Sequence, residues 1–139
     1  FETMYNNNGI GLAAVQVGVL RRMIVIDVSK KDEGKKPFCL INPVIKSFGK
    51  DSSTYEEGCL SIPETFIEIE RPKTCIVEYV DISGNKTNME CDGLLSTCIQ
   101  HELNHLDGKL IIDFLSKLKK DILIKKLSKN KSTSNRVIV

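Results

Sequence analysis

Tryptophan is absent and aromatic residues make up 6% of the chain, so a core has to be built from aliphatic side chains. No apolar run approaches the roughly 20 residues that cross a bilayer, and the chain does not begin with a secretory signal pattern; no membrane-spanning helix is expected. The cysteines are Cys39, Cys59, Cys75, Cys91 and Cys98, an odd number at irregular spacings. That argues against a disulfide framework and for a reducing compartment. Neither G-x-G-x-x-G nor the P-loop spacing with its Lys is present, which leaves little support for phosphate binding. Internal repeats and a linker long enough to divide the chain are also missing.

What remains is a 139-residue chain with 27% charged residues and a net charge of +2, suited to one domain that buries roughly two thirds of its unfolded surface. The balance of charge hides a basic end, with Lys117, Lys119, Lys120, Lys125, Lys126, Lys129, Lys131 and Arg136 in the last quarter. Phe1 to Tyr5 reads as the last turn of a helix, followed by a turn cluster from Asn6 to Gly11. Strand signals follow at Met23 to Val28, Phe38 to Phe48, Ile67 to Glu70 and Cys75 to Val80, with a turn at Asp81 to Asn85 and a partner strand from Lys86 to Cys91. Leu110 to Leu115 reads as a strand or extended link, and Ser116 is placed to cap a helix running to about Lys129. On that helix Leu118 and Ile122, with Ile124 and Leu127, are expected to dock on the domain. The class expected is α+β: short, mostly antiparallel strands around a central helix, with a C-terminal helix. Residues 1–129 form the expected domain and 130–139 a mostly polar, flexible tail.

The central helix carries the most informative residues, His101-Glu102-Leu103-Asn104-His105. Leu94, Leu95, Cys98, Ile99, Leu103 and Leu106 recur at helical spacing, with Asp92 as a candidate N-cap and Gly108 as a stop. Residues four apart lie nearly above one another on a helix, so the two imidazoles can share one cation while Glu102 stands about 100° round beside it. They are the only two histidines in the chain. Two imidazoles and a carboxylate crowded on a largely apolar helix need a common partner, and a metal ion is the simplest.

A catalytic site of this kind takes three protein ligands and leaves a position for water. Cys98 lies seven residues from His105, about 10.5 Å along the axis, too far for both to meet one ion with His101. Cys59 is a better candidate, in Glu57-Gly58-Cys59-Leu60-Ser61 beside a permissive glycine and before the turn signal at Pro63. A distal acid, Asp107 or Glu64, would instead give a conventional metallopeptidase site, and spacing alone leaves both open.

Three segments, Gly9-Ile10-Gly11-Leu12-Ala13-Ala14-Val15-Gln16, Glu57-Gly58-Cys59-Leu60-Ser61 and Gln100-His101-Glu102-Leu103-Asn104-His105, resemble in order and separation the three motifs of the peptide deformylase family. The likeness runs to about Lys129 and is greatest to the bacterial type with a helical C-terminal end. It implies that Cys59, His101 and His105 bind one divalent metal, ferrous iron first, with zinc, nickel or cobalt able to take the same ligands. It also implies Glu102 as general acid and base, and the Gln16 amide and Leu60 backbone N–H as donors to a developing oxyanion. Gly9, Ile10, Gly11, Glu57, Leu94 and Cys98 would line or support the substrate site, with Glu57 paired to Arg71. Three departures stand out: Val15 where Pro or Thr is usual, Asn104 where Asp is common, and an amino-terminal segment of the family that has no counterpart in this sequence.

The implied reaction is removal of the formyl group from the N-terminal formyl-methionine of nascent polypeptides by a monomeric cytoplasmic enzyme; an organellar origin also fits. Ribosome contact through the basic C-terminal helix is implied as well. Two rival functions fit parts of the pattern. A zinc endopeptidase of the H-E-x-x-H kind would not need Cys59, and a non-catalytic metal-binding, ribosome-associated module would not need Glu102.

Overall fold

The computed structural model describes the backbone of residues 1–134 and the side chains of residues 1–129; the expectation for the tail beyond 134 lies outside the described residues. Among the described residues seven strands form two antiparallel sheets. One has five strands in the order β1 (Gly11–Ala13), β2 (Met23–Ile26), β3 (Phe38–Phe48), β6 (Thr74–Val80), β7 (Lys86–Asp92). The other is a hairpin of β4 (Ser52–Cys59) and β5 (Ile62–Pro72). Helix α1 (Glu2–Asn6) opens the chain, α2 (Gly93–Leu106) carries the histidines, and α3 (Lys117–Ser134) follows a 3-10 turn at Ile111–Phe114.

The aliphatic composition decides how these parts pack. Ala13, Ile24, Ile26, Leu40 and Val77 point from the large sheet onto Cys98, Ile99 and Leu103 of α2, forming one buried cluster. A second cluster joins Cys59, Ile62, Ile67 and Ile69 of the hairpin to Ile111 and Ile112. Helix α2 therefore lies between the sheet and the hairpin, with apolar residues on its sheet side and the histidines towards the hairpin. β3 bends where Asn42, at a φ of 50°, and buried Pro43 interrupt the register between Ile41 and Val44. Proline has no N–H to give to a ladder, so the bulge is where it fits.

Several sequence expectations change. Asp92 occupies the N-cap of α2 without a side-chain cap bond; the chain turns there through Gly93, at a φ of 55°, whose N–H donates to the Lys73 carbonyl at 3.0 Å. Leu110 to Leu115 is no strand, because Asp113 accepts the Leu110 N–H at 2.8 Å and closes the 3-10 turn. The polar strand β4 had no apolar alternation to announce it, and β5, at 11 residues, is longer than the expected Ile67 to Glu70, whereas β3 spans Phe38–Phe48 as expected. On α3 the docking face consists of Leu123 and Leu127, while Leu118 and Ile122 are 71% and 60% exposed and Ile124 also faces solvent. Apolar residues surround this helix, so its pattern selects no face; the preceding 3-10 turn and the Lys120–Asp113 ion pair do. The helix also runs past Lys129 to Ser134.

A polar knot ties α1 to the sheet. The buried Asp27 carboxylate accepts from Tyr5 Oη at 2.5 Å, Ser29 Oγ at 2.6 Å and Ser29 N at 3.0 Å. Burial would raise its pKa, but these bonds outweigh burial and hold it at about 2, while the bond to Asp27 pushes the Tyr5 phenol up to about 12. A depressed carboxylate stabilises the fold above its ordinary pKa of 3.8 and loses that contribution as pH falls towards 2. A raised phenol stabilises below 10.0 and loses its contribution as pH rises towards 12. Urea unfolding across pH should therefore show stability declining at both ends, and Asp27→Asn should flatten the acid limb between about 4 and 2.

Candidate metal centre

Helix α2 places His101 and His105 one turn apart with ring centroids 5.0 Å from each other, and their Nε2 atoms are 3.2 Å apart. Across from them the end of β4 brings Cys59, whose Sγ lies 3.2 Å from His105 Nε2. The three donor atoms lie within 4.8 Å of one another, and among the described residues this is the one such group. Around a tetrahedral ion with ordinary bond lengths, nitrogen and sulfur donors sit about 3.3–3.6 Å apart, so these three fit a single cation. Asp107 is turned to Arg22 at 3.0 Å, beyond the end of α2, and Glu64 lies on the hairpin outside the donor group. Cys98 is also excluded; its buried thiol, pushed well above its ordinary pKa by burial, donates to the Ile10 carbonyl at 3.6 Å.

The electrostatics prepare the donors. Burial would raise the Cys59 thiol, but hydrogen bonds with His101, His105 and the Ser61 backbone outweigh it and bring the pKa down to about 5. Burial would lower His101, yet hydrogen bonds with Cys59 and Glu57 raise it to about 9. Without a cation the pair is thus a thiolate facing an imidazolium, and a bound metal ion replaces the proton.

Behind the donors runs a buried chain of charge. His101 Nδ1 meets Glu57 Oε2 at 2.9 Å; Arg71 donates to both Glu57 oxygens, at 2.6 and 2.9 Å, and its remaining arm donates to Asn104 Oδ1 at 2.8 Å. The Phe114 ring lies 4.9 Å from the guanidinium carbon. Despite burial, His101 and Arg71 hold the Glu57 carboxyl below its ordinary pKa. Asn104, one of the sequence departures, thus bonds Arg71.

Beside the donors opens a cleft of about 540 Å³. Every site residue expected from the sequence lines it except His105, which stands behind. Glu102 is 4% exposed, and its Oε2 has no hydrogen-bond partner among the described residues. Burial, with the negative charges of Cys59 and Glu57, raises Glu102 to about 7 against the opposing pull of both histidines. Gly11 is needed opposite it, because a Cβ there would come within 2.6 Å of Glu102 Oε1. Gln16 accepts the Ala13 N–H at 2.9 Å and donates to Ser61 Oγ at 2.9 Å, which fixes its amide beside Cys59. Leu60 and Ser61 form the tip between the paired residues Cys59 and Ile62. Ser61, Tyr55 and Phe66 also line or brace the cleft and escaped the sequence reading; Phe66, an aromatic 65% exposed, sits among charged neighbours that read as an ordinary surface strand. Thr97, also in the cleft, buries an Oγ1 with no partner among the described residues.

The polypeptide deformylase family model matches residues 1–121. A peptide deformylase of Pelagibacter ubique is 58% identical over 138 residues, 99% of this chain and 79% of that one. That of Agrobacterium fabrum is 56% identical over 128 residues, 92% and 75% of the two chains. The crystal structure of Ehrlichia chaffeensis peptide deformylase superposes with a TM-score of 0.89 at 40% identity, over 96% of this chain and 80% of that one. The same protein in complex with actinonin gives 0.87 at 42% identity, over 99% and 80%.

Removing the guanidinium leaves a buried carboxylate beside His101, one of the three side chains that could hold a metal ion. Arg71→Ala should cost about 3–5 kcal/mol of stability and about 10–100-fold in metal affinity, measured by urea unfolding and by chelator competition. Arg71→Lys should recover little of either, since an ammonium cannot reproduce the two-pronged bond.

Proposed function

Because the chain belongs to the polypeptide deformylase family, it is an enzyme that removes the formyl group from N-formylmethionyl nascent peptides, and we propose that Cys59, His101 and His105 hold its metal while Glu102 moves the proton. The observation that carries these assignments is the thiol and two imidazoles gathered around one point, with the orphaned Glu102 carboxylate in the same cleft. A divalent cation held there supplies charge stabilisation and acidifies water. The thiolate makes the donor set soft and oxidisable, which favours ferrous iron, with zinc, nickel or cobalt as substitutes.

Each remaining step falls to the chain's own side chains. Glu102 takes the proton from water as the oxygen attacks the formyl carbon. As the C–N bond breaks, Glu102 returns that proton to the departing nitrogen, giving formate and a free amino terminus. Burial suits the carboxyl to both roles by raising its pKa towards neutrality. The oxyanion takes hydrogen bonds from the Leu60 backbone N–H and from Gln16, whose amide has a second N–H besides the one given to Ser61. β1 is the outer strand of its sheet, so an extended peptide can lie along its open side, with its first side chain towards Ile10, Leu94 and Cys98.

Residues 1–129 act as one catalytic domain. The lysines and exposed Leu118 and Ile122 of α3 offer a contact for the ribosome, and the enzyme works as a cytoplasmic monomer. The endopeptidase alternative loses support because the third donor beside the histidines is the Cys59 thiol and, among the described residues, no carboxylate belongs to the donor group; the non-catalytic one loses support because Glu102 and Gln16 both stand in the cleft.

Formate release from a formyl-Met tripeptide by anaerobically iron- or nickel-loaded protein tests this reading. Glu102→Gln should retain the metal and lose about 10²–10⁴-fold in kcat. Cys59→Ala should lose metal and activity together, and an unformylated peptide should stay intact. A Cys59→Ala protein with full metal content and turnover would remove the third ligand from the scheme.

A further inference from the structure

The Asp27 carboxylate takes no part in the metal centre, yet it is buried and accepts only neutral donors in the contacts the structure gives it: Tyr5 Oη, Ser29 N and Oγ, and Lys36 N at 3.4 Å. The segment it borders explains what this arrangement achieves. Between α1 and β1 the chain passes through Asn7, Asn8, Gly9 and Ile10, all of which line the cleft. Asp27 fastens both ends of that segment. Its side chain holds Tyr5, just before the segment, and its backbone N–H donates to the Ile10 carbonyl, at the end, at 2.9 Å. Within the segment Asn8 sits at a φ of 56°, and Gly9 donates back to the Met4 carbonyl at 2.9 Å. Gly9 also packs so closely on Leu60 that a Cβ would come within 2.7 Å of its Cδ1. The wall's position is therefore coupled to the hairpin tip across the cleft.

We infer that Tyr5 is a positioning residue for the peptide substrate, acting through Asp27 to hold the Asn7–Ile10 wall at its distance from α2 and the hairpin tip. This rests on the reading that the cleft takes the formylated peptide. Cys59, His101, His105 and Glu102 stand on β4 and α2 and not on the wall, and Gly9 meets the Leu60 side chain and not its backbone N–H, so the device acts on binding far more than on the chemical step. The Lys35 ammonium over the Tyr5 ring, at 3.9 Å, holds the ring from its other side and survives loss of the hydroxyl.

Tyr5→Phe removes only the hydroxyl, and Ser29→Ala serves as the control that takes a bond from the same carboxylate without freeing α1. With metal-loaded protein and a formyl-Met tripeptide, Tyr5→Phe should raise KM about three- to tenfold with kcat within about twofold of wild type, and Ser29→Ala should leave KM unchanged. Amide hydrogen exchange at Gly9 and Asp27, which needs no turnover, should accelerate in Tyr5→Phe and not in Ser29→Ala. A wild-type protein that released no formate would count against the deformylase reading, and exchange would still decide this inference. Wild-type KM with wild-type exchange in Tyr5→Phe, or a loss confined to kcat, would overturn it.

Discussion

The buried ion pair of Glu57 and Arg71 fixes the hairpin against α2, and the metal centre depends on it. Glu57 and Cys59 are two apart on β4 and so face the same side, about 6.7 Å apart along the strand. His101 and His105 are four apart on α2 and share a face, about 6 Å apart along the axis. The two repeats nearly match, so that both strand residues reach the histidines: Glu57 bonds His101, and Cys59 meets both His105 and His101. A slip of one residue in β4 would turn both side chains away together. Arg71, paired opposite Ser53 on β5, clamps this register by gripping Glu57 on one side and Asn104 of the helix on the other.

Burying so much charge is costly unless it is paired, and the centre pairs it in sequence. Arg71 compensates Glu57, Glu57 polarises His101, and His101 stabilises the Cys59 thiolate. Glu102 is left over. Its neighbours on the hairpin side are negative and its surroundings dry, so its carboxyl is held near neutrality, where it can both accept and return a proton. A cation at the donors shifts this balance by its charge, which couples metal occupancy to the protonation of the Glu102 carboxyl.

The opposite side of the cleft is built on other terms. Leu12 and Ala13 of the short strand β1 are buried, Ala13 in the main core, but the segment before it owes its place to directional bonds: Asp27 holds it at both ends and the thiol of Cys98 lies beneath Ile10, while Gln16 holds the inner end of β1. One wall is rigid through helix packing and the other through a polar knot. That division suits a site where the reacting atoms must be fixed while an extended peptide is admitted along a strand edge.

The histidine pair, the carboxylate beside it and the helix that carries them were legible from the sequence, because helical spacing fixes which side chains share a face. The three-motif likeness identified the cysteine that spacing alone left open. β6, β7 and most of β3 were legible from apolar alternation and turn residues. β4 was not, since its side chains are polar and its pairing rests on a partner that its own pattern does not reveal. Of the docking face expected on α3 only Leu127 packs on the domain, for the converse reason: a helix with apolar residues all round contains no information about which of them will meet a surface. Sequence thus determined what is local and periodic in this protein, together with the chemistry of its donors. Tertiary structure alone decided that a thiol and two imidazoles more than forty residues apart converge, that Asn104 joins Arg71, and that Asp27 holds both ends of the cleft wall, because such contacts depend on how independently formed elements are packed.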